Sequence, residues 1–249
     1  MMSIDIMTKY LVRILPGMAL AAAYFALVPR KIHLLRLTGY IFLFIFIRDA
    51  MTPAGLWSFG TEGFFWIRFI QDPLILSLFG LSSAVIVIVM NRIDPDLKKL
   101  IVWFKGNYSA GVLAGVAGAL LAAGPLVMVY ACTPMTPRGG DFPPYLLIPL
   151  LLMTMLGNLY EETIFRGYFQ GFLESTGLVK PLHAALLSGV MFGFGHIFLA
   201  LTVTNVGYSL LLFALYEGII ASLVRMRYGV IPATVTHGGA IFILASGLV

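Results

Sequence analysis

Charge is what this chain has least of. Only 11% of its 249 residues are Asp, Glu, Lys or Arg, while 60% are hydrophobic and the mean hydropathy is +0.96. Soluble domains carry roughly 25% charged and about 45–50% apolar residues. A single water-soluble core is therefore excluded, because 249 residues cannot bury so much apolar surface, whereas several spans of about 20 residues would set it against lipid. Cysteine is almost absent too: the single Cys132 allows no internal disulfide, and it leaves the redox compartment open. A concentrated basic patch is also missing. The net charge is +5, but the Lys and Arg residues are scattered at the ends of apolar runs, which is a topology signal and speaks against nucleic acid as a partner. There is no internal repeat, low-complexity tract or soluble domain, so one membrane domain over residues 1–249 is the expectation.

What is present is a succession of long apolar runs. They predict an all-α, polytopic membrane bundle of about eight spans, near 10–28, 38–57, 73–91, 109–131, 144–168, 182–203, 207–225 and 231–248. The first run follows Lys9 and Arg13 and reads as an uncleaved span. The segment RIDPDLKKLIVWFKGN (92–107) alternates charged and apolar residues at roughly helical spacing, predicting an amphipathic interfacial segment. Connections after spans 1, 3, 5 and 7 hold most of the loop Arg and Lys, while those after spans 2, 4 and 6 hold only Arg68 and Arg138. The positive-inside rule then puts the odd connections in the cytoplasm and both termini outside.

One stretch breaks the apolar pattern. GNLYEETIFRGYFQGFLE (157–174) carries two adjacent glutamates and an arginine at the end of YLLIPLLLMTML. An ionisable group inside a span costs a few kcal/mol or more unless it is paired or reaches water, so an intramembrane carboxylate points to function by default. The alternative is a structural ion pair or an interfacial anchor. Glu162 and Arg166 are i and i+4 in the favourable Glu-first order, which fits a pair. Glu161 lies about 100° around the helix from Glu162 and has no basic residue at i±3 or i±4, Asn158 and Phe165 standing at the nearest such positions. One carboxylate has a counter-ion; the other is left free to act as a base.

Two histidines can face it. His196 lies in LLSGVMFGFGHIFLAL and His237 in VIPATVTHGGAIFILA, both otherwise apolar. Each alone would fit a hydrogen-bonded packing residue, but their depths coincide. If spans 5 and 6 turn at ESTGLVK (174–180), Glu161 is 13 residues before Glu174 and His196 is 15 after Pro181. Both are then about 20 Å from the turn. His237 is five residues after Pro232, about 8 Å into its span, and Glu161 lies about as far inside Arg166. Gly189, Gly193 and Gly195 precede His196, and Gly238 and Gly239 follow His237, allowing close helix approach or room for a substrate. The small-residue run AGVLAGVAGALLAAG (110–124) has no polar company and reads as packing alone.

Glu161-Glu162-x-x-x-Arg166, Phe192-x-x-x-His196 and His237 together resemble the EExxxR, FxxxH and third-helix His motifs of the CAAX-protease and bacteriocin-processing (CPBP) family of intramembrane proteases, which includes the type II CAAX prenyl endopeptidases. The resemblance covers about residues 144–241. It implies a catalytic core over 144–249, preceded by variable N-terminal spans and the amphipathic segment over 1–140. The third motif in the family reads HxxxN or HxxxD, but the residue four after His237 is Ile241, which cannot hydrogen-bond. Losing one oxyanion donor costs roughly 2.7–4 kcal/mol in the transition state. Asn158, Asn205 and Glu217 are the candidates to substitute.

The resemblance implies amide hydrolysis by an activated water, with Glu161 as general base, His196 holding the same water and His237 donating to the oxyanion. Glu162 and Arg166 would be the supporting pair, with Phe192 and Asn158 as further supporting residues. No cofactor is expected. Zinc is the alternative, since two His, one Glu and a water form a known catalytic set, yet Glu161, His196 and His237 lack a compact HExxH helix and the family's structural precedent resembles a metal-free glutamate site. The expected substrate is a membrane-anchored peptide or a C-terminal protein tail, of CAAX type or a C-terminal anchor, met in the bilayer of a cell's inner (plasma) membrane. Two other classes stay open: a catalytically silent scaffold or bacteriocin-immunity factor, for which Ile241 speaks, and a small proton-coupled transporter, against which the lack of a repeat speaks.

Overall fold

The structure, a computed structural model, describes residues 2–61, 65–133 and 138–248. Helices stand at all eight expected places: α1 (Met2–Leu27), α2 (His33–Asp49), α4 (Pro73–Ile93), α6 (Tyr108–Cys132), α7 (Leu147–Glu162), α9 (Pro181–Phe194), α10 (Tyr208–Tyr228) and α11 (Val230–Ala245). Three short helices, α3 (Met51–Ala54), α5 (Pro95–Lys98) and α8 (Gln170–Ser175), lie between them. Five helical stretches are long and apolar enough to cross a membrane: Asp5–Leu27, Pro73–Ile93, Tyr108–Cys132, Pro181–Val203 and Tyr208–Tyr228, with Val230–Ala245 a shorter apolar helix. This is an all-α polytopic membrane protein. Helix starts follow local chemistry: the Asp72 carboxylate accepts from the amides of Leu74 and Ile75 ahead of α4, and the Asn107 side chain accepts from Ala110 ahead of α6.

Two segments differ from the sequence expectation. The span expected to reach residue 57 stops early, because Gly55 adopts a left-handed φ of 78° after α3 and turns the chain. An antiparallel hairpin follows, β1 (Trp57–Gly60) pairing with β2 (Trp66–Phe69), with Trp57 opposite Phe69 and Phe59 opposite Ile67. Its aromatic and β-branched residues suit a pleated, buried surface, and Arg68 donates to the Leu244 carbonyl (2.8 Å) at the end of α11, where a helix terminus favours a cation. Residues 92–107 likewise are no continuous amphipathic helix. Beyond the end of α4 only α5 is helical, and Asp94 faces inward, enclosed in an ion pair with Arg36 of α2 and a hydrogen bond from Tyr40. Beyond α5 the chain runs against the start of α11, Val230 and Ile231 donating to the carbonyls of Val102 and Trp103. A buried charge that finds its partner inside outweighs a surface pattern.

Small residues set the helix crossings. A Cβ on Gly115 of α6 would lie 2.7 Å from the Pro232 carbonyl of α11, so the glycine run of α6 serves packing, as expected. Between α9 and α10, a Cβ on Gly189 would meet the Ile219 Cα at 2.8 Å, and one on Gly218 would meet the Gly189 carbonyl at 3.1 Å. Backbone cannot yield as a flexible side chain can. Gly189→Val is therefore expected to lower stability by about 1–3 kcal/mol or more, read as a fall in the unfolding temperature of detergent-solubilised protein, whereas Gly157→Ala, where nothing lies within 4 Å of the added carbon, is expected to be tolerated.

Candidate active site

The two glutamates sit at the last positions of α7, immediately before a π-helical segment, Thr163–Phe169, that leads into α8. Such wide turns are uncommon and concentrate at functional sites. Here the wide turn is tied to α9, whose Ser188 hydroxyl donates to the Phe165 carbonyl (2.8 Å), while the Phe165 ring meets Phe192 edge-on. A second π segment, Leu199–Val203, follows His196. The sequence reading treated both regions as plain helix.

Glu162 is the hub of the buried network. Its Oε1 lies 3.0 Å from Arg166 Nη1 and 2.9 Å from His237 Nδ1, and none of its side chain is exposed. Arg166 then reaches α10, donating from Nε to Ser222 (3.2 Å) and from Nη2 to the Gly218 carbonyl (2.9 Å), with its guanidinium 4.3 Å over the Phe192 ring. Three elements that cannot pair by backbone hydrogen bonds are thus joined through one carboxylate and one guanidinium. The i, i+4 pair anticipated from spacing is present.

The histidines flank Phe192, whose ring centroid is 4.5 Å from His196 and 5.1 Å from His237. His196 Nδ1 is 2.8 Å from the Phe192 carbonyl. A carbonyl only accepts, so Nδ1 carries the hydrogen, and in the neutral ring Nε2 keeps a lone pair. His237 is held at Nδ1 by Glu162, and its Nε2 stands 3.6 Å from Glu217 Oε2 of α10, outside hydrogen-bond distance.

Glu161, His196 and His237 all line one cavity of about 400 Å³, a volume suited to a drug-sized or short peptide ligand. Its walls are mainly apolar and come from α1, α2, both strands, α4, α7, the segment after α9 that carries His196 and Leu199, α10 and α11, with Asn158, Glu217 and Ile241 also lining it. Asn158 donates to the Thr154 carbonyl (2.7 Å). Asn205 is exposed outside the cavity, so of the three residues considered in place of a polar group at 241, Asn158 and Glu217 line it and Asn205 does not. Among the described residues, Glu161 Oε2, Glu217 Oε1, Tyr160 Oη and Arg48 Nη1 are buried polar atoms of the cavity wall with no hydrogen-bond partner. Native proteins pair nearly all such atoms, and a cavity lined by several unpaired ones is shaped for a polar ligand. Among the described residues, no group of three or more His, Cys, Asp or Glu is arranged to hold a metal ion.

Sequence reasoning missed Arg48 and Tyr160. The signal for Arg48 was available, a lone cation inside the apolar run 38–57; for Tyr160 there was none, because a tyrosine beside a glutamate in a membrane helix is unremarkable. The supporting residues Glu162, Arg166 and Phe192 are all fully buried around the histidines.

The fold is thus a polytopic helical membrane protein with carboxylates and imidazoles gathered on one largely apolar cavity. Residues 143–243 match the family described as type II CAAX prenyl endopeptidase Rce1-like. That segment, α7 to α11 with the glutamates and both histidines, matches the Rce1-like domain of the CAAX protease (CPBP) family, which is a family of membrane proteases. The chain has no match among curated proteins and none among solved structures.

Proposed function

We propose that this protein is an intramembrane endopeptidase that hydrolyses a peptide bond in a membrane-associated peptide or C-terminal protein tail, using a water activated by Glu161 and His196. The observation that carries this reading is the division between neighbouring glutamates: Glu162 Oε1 is engaged by both Arg166 and His237 and Glu162 lies off the cavity, whereas Glu161 lines the cavity with His196 and has no hydrogen-bond or ion-pair partner among the described residues. Glu161 takes a proton from water as the oxygen attacks the carbonyl carbon, and later returns it to the leaving amine. His196 Nε2 accepts the water's second hydrogen, since its Nδ1 hydrogen is committed to Phe192. His237 acts as the imidazolium between Glu162 and Glu217, so that its Nε2 as well as its Nδ1 carries a hydrogen and Nε2 donates to the developing oxyanion. Apolar walls suit the prenyl group or apolar residues of a membrane-anchored tail, and the plasma membrane is the setting.

The mechanism is written without a metal; the Nδ1 contacts of His237 to Glu162 and of His196 to the Phe192 carbonyl leave both Nε2 atoms open to water or to zinc alike, and experiment separates the two. Cleavage of a fluorogenic peptide with a prenylated Cys-aliphatic-aliphatic-X tail by purified protein in detergent tests the reading. Cleavage is expected, and it is expected to persist after incubation with EDTA; loss in EDTA with recovery on zinc would replace the glutamate mechanism by a metal one. Ile241 in the cavity wall favours one competing reading, a catalytically silent scaffold, which would show no turnover and no effect of Glu161→Gln on any phenotype.

A further inference from the structure

The cavity wall holds a cation that the matched segment does not contain. Arg48 belongs to α2 and is 4% exposed. Its Nε and Nη2 donate to Asp49 Oδ1 (2.9 and 2.7 Å), Nη2 also donates to the Gly195 carbonyl (2.7 Å) one residue before His196, and the guanidinium lies 4.5 Å over the Phe44 ring, itself beside His196. Four interactions fix this planar group. Its remaining nitrogen, Nη1, is buried, has no partner and belongs to a residue of the cavity wall that also holds Glu161, as does the unpartnered Tyr160 hydroxyl. A fixed, unpaired donor in a low-dielectric site is the arrangement that stabilises charge appearing during a reaction, because it needs no reorganisation.

Two kinds of substrate oxygen could use such a donor: a permanent carboxylate at the end of a tail, or the carbonyl oxygen of the bond being cut. Charge decides between them. Arg48 is already neutralised by Asp49, and the cavity holds Glu161 and Glu217, so a bound carboxylate would add another negative charge to a site poor in water. The oxyanion adds none. When water attacks, its proton passes to Glu161 and neutralises that carboxylate while the carbonyl electron pair moves to oxygen, so one negative charge only changes place. Collapse re-forms the carbonyl, breaks the C–N bond and delivers the Glu161 proton to the amine.

We propose that Arg48 Nη1, assisted by the Tyr160 hydroxyl, is an oxyanion donor of this protein, supplied by the N-terminal half of the chain to the Rce1-like domain. The inference rests on the hydrolytic reading above. Arg48→Met, Arg48→Lys and Tyr160→Phe would be compared with wild type and Glu161→Gln on the prenylated fluorogenic peptide, together with binding of a trifluoromethyl-ketone analogue, which hydrates to a tetrahedral adduct, against its parent amide. Folded Arg48→Met is expected to lose about 10²- to 10³-fold in kcat with KM little changed, and to lose the preference for the ketone; Arg48→Lys keeps the charge beside Asp49 but not the Nη1 donor and is expected to stay impaired. If Arg48→Met does not fold, Arg48→Lys and Tyr160→Phe decide on the same kcat and ketone readouts. Unchanged kcat, or a loss confined to KM, overturns the assignment of Arg48 while an inactive Glu161→Gln leaves the hydrolytic reading standing. Wild type that neither cleaves the peptide nor prefers the ketone overturns both.

Discussion

Glu161→Gln is expected to abolish peptide cleavage while leaving the folded yield unchanged. The substitution keeps shape and removes only the capacity to take a proton. General-base catalysis contributes typically 10²–10⁴-fold, so activity should fall by about that factor, with KM little altered if the amide occupies the same volume. Folding should be indifferent, because the buried Glu161 Oε2 has no partner to lose among the described residues, and exchanging an unpaired charge for a neutral amide relieves a burial cost. The measurement is a pair: kcat on the prenylated peptide, and the unfolding temperature in detergent. A variant that still cleaves at near wild-type rate would remove Glu161 from the mechanism; a variant that is inactive because it does not fold would return the residue to a structural role.

Its neighbour is expected to behave in the opposite way. Glu162→Ala strands the fully buried Arg166 and takes from the His237 ring its only side-chain hydrogen bond among the described residues. Breaking a buried pair by removing one partner costs about 3–5 kcal/mol, a large part of the roughly 5–15 kcal/mol that holds a typical domain together. The expected result is a severe loss of folded protein, with the α10 and α11 attachments weakened together because Arg166 also grips Gly218 and Ser222. Replacing both partners, Glu162→Met with Arg166→Met, is expected to return much of the folded yield but no activity, since no uncompensated charge stays buried. Should Glu162→Ala fold as well as wild type, the hub would be no hub. Two adjacent glutamates with reversed phenotypes, one losing chemistry and the other losing structure, would separate base from strut more firmly than either variant alone.

Much of the helical frame was legible because a membrane imposes a simple rule on sequence: segments facing lipid must be long, apolar and internally hydrogen-bonded. Eight runs became eight helices. The exceptions lie where that rule is relaxed. Trp57–Gly60 and Trp66–Phe69 pair as antiparallel strands, the second of them buried, so their backbone finds partners outside a helix, and hydropathy cannot distinguish an aromatic strand from an aromatic helix turn. Asp94 looked like a surface charge and is enclosed with Arg36 and Tyr40, because the pairing partner comes from a helix 58 residues away in sequence. The π turn after Glu162 is a tertiary adjustment and leaves no periodic trace in seven residues.

The candidate site divides along the same line. That Glu162 pairs with Arg166 and that Glu161 lacks a local cation follow from i, i+4 geometry, a short-range property of one helix that any sequence displays. That His196 and His237 reach the same level as Glu161 could be inferred from rise per residue. What only the tertiary structure decided is which groups are left without partners: His237 spent on Glu162, Arg48 brought from α2 with one nitrogen free, Tyr160 turned to the cavity. Satisfaction of a buried polar atom depends on every element packed around it, and those elements come from positions far apart in the chain, Arg48 and Gly195 being 147 residues apart. Local spacing therefore determined the acid–base candidates, and packing alone determined which of them are free to react.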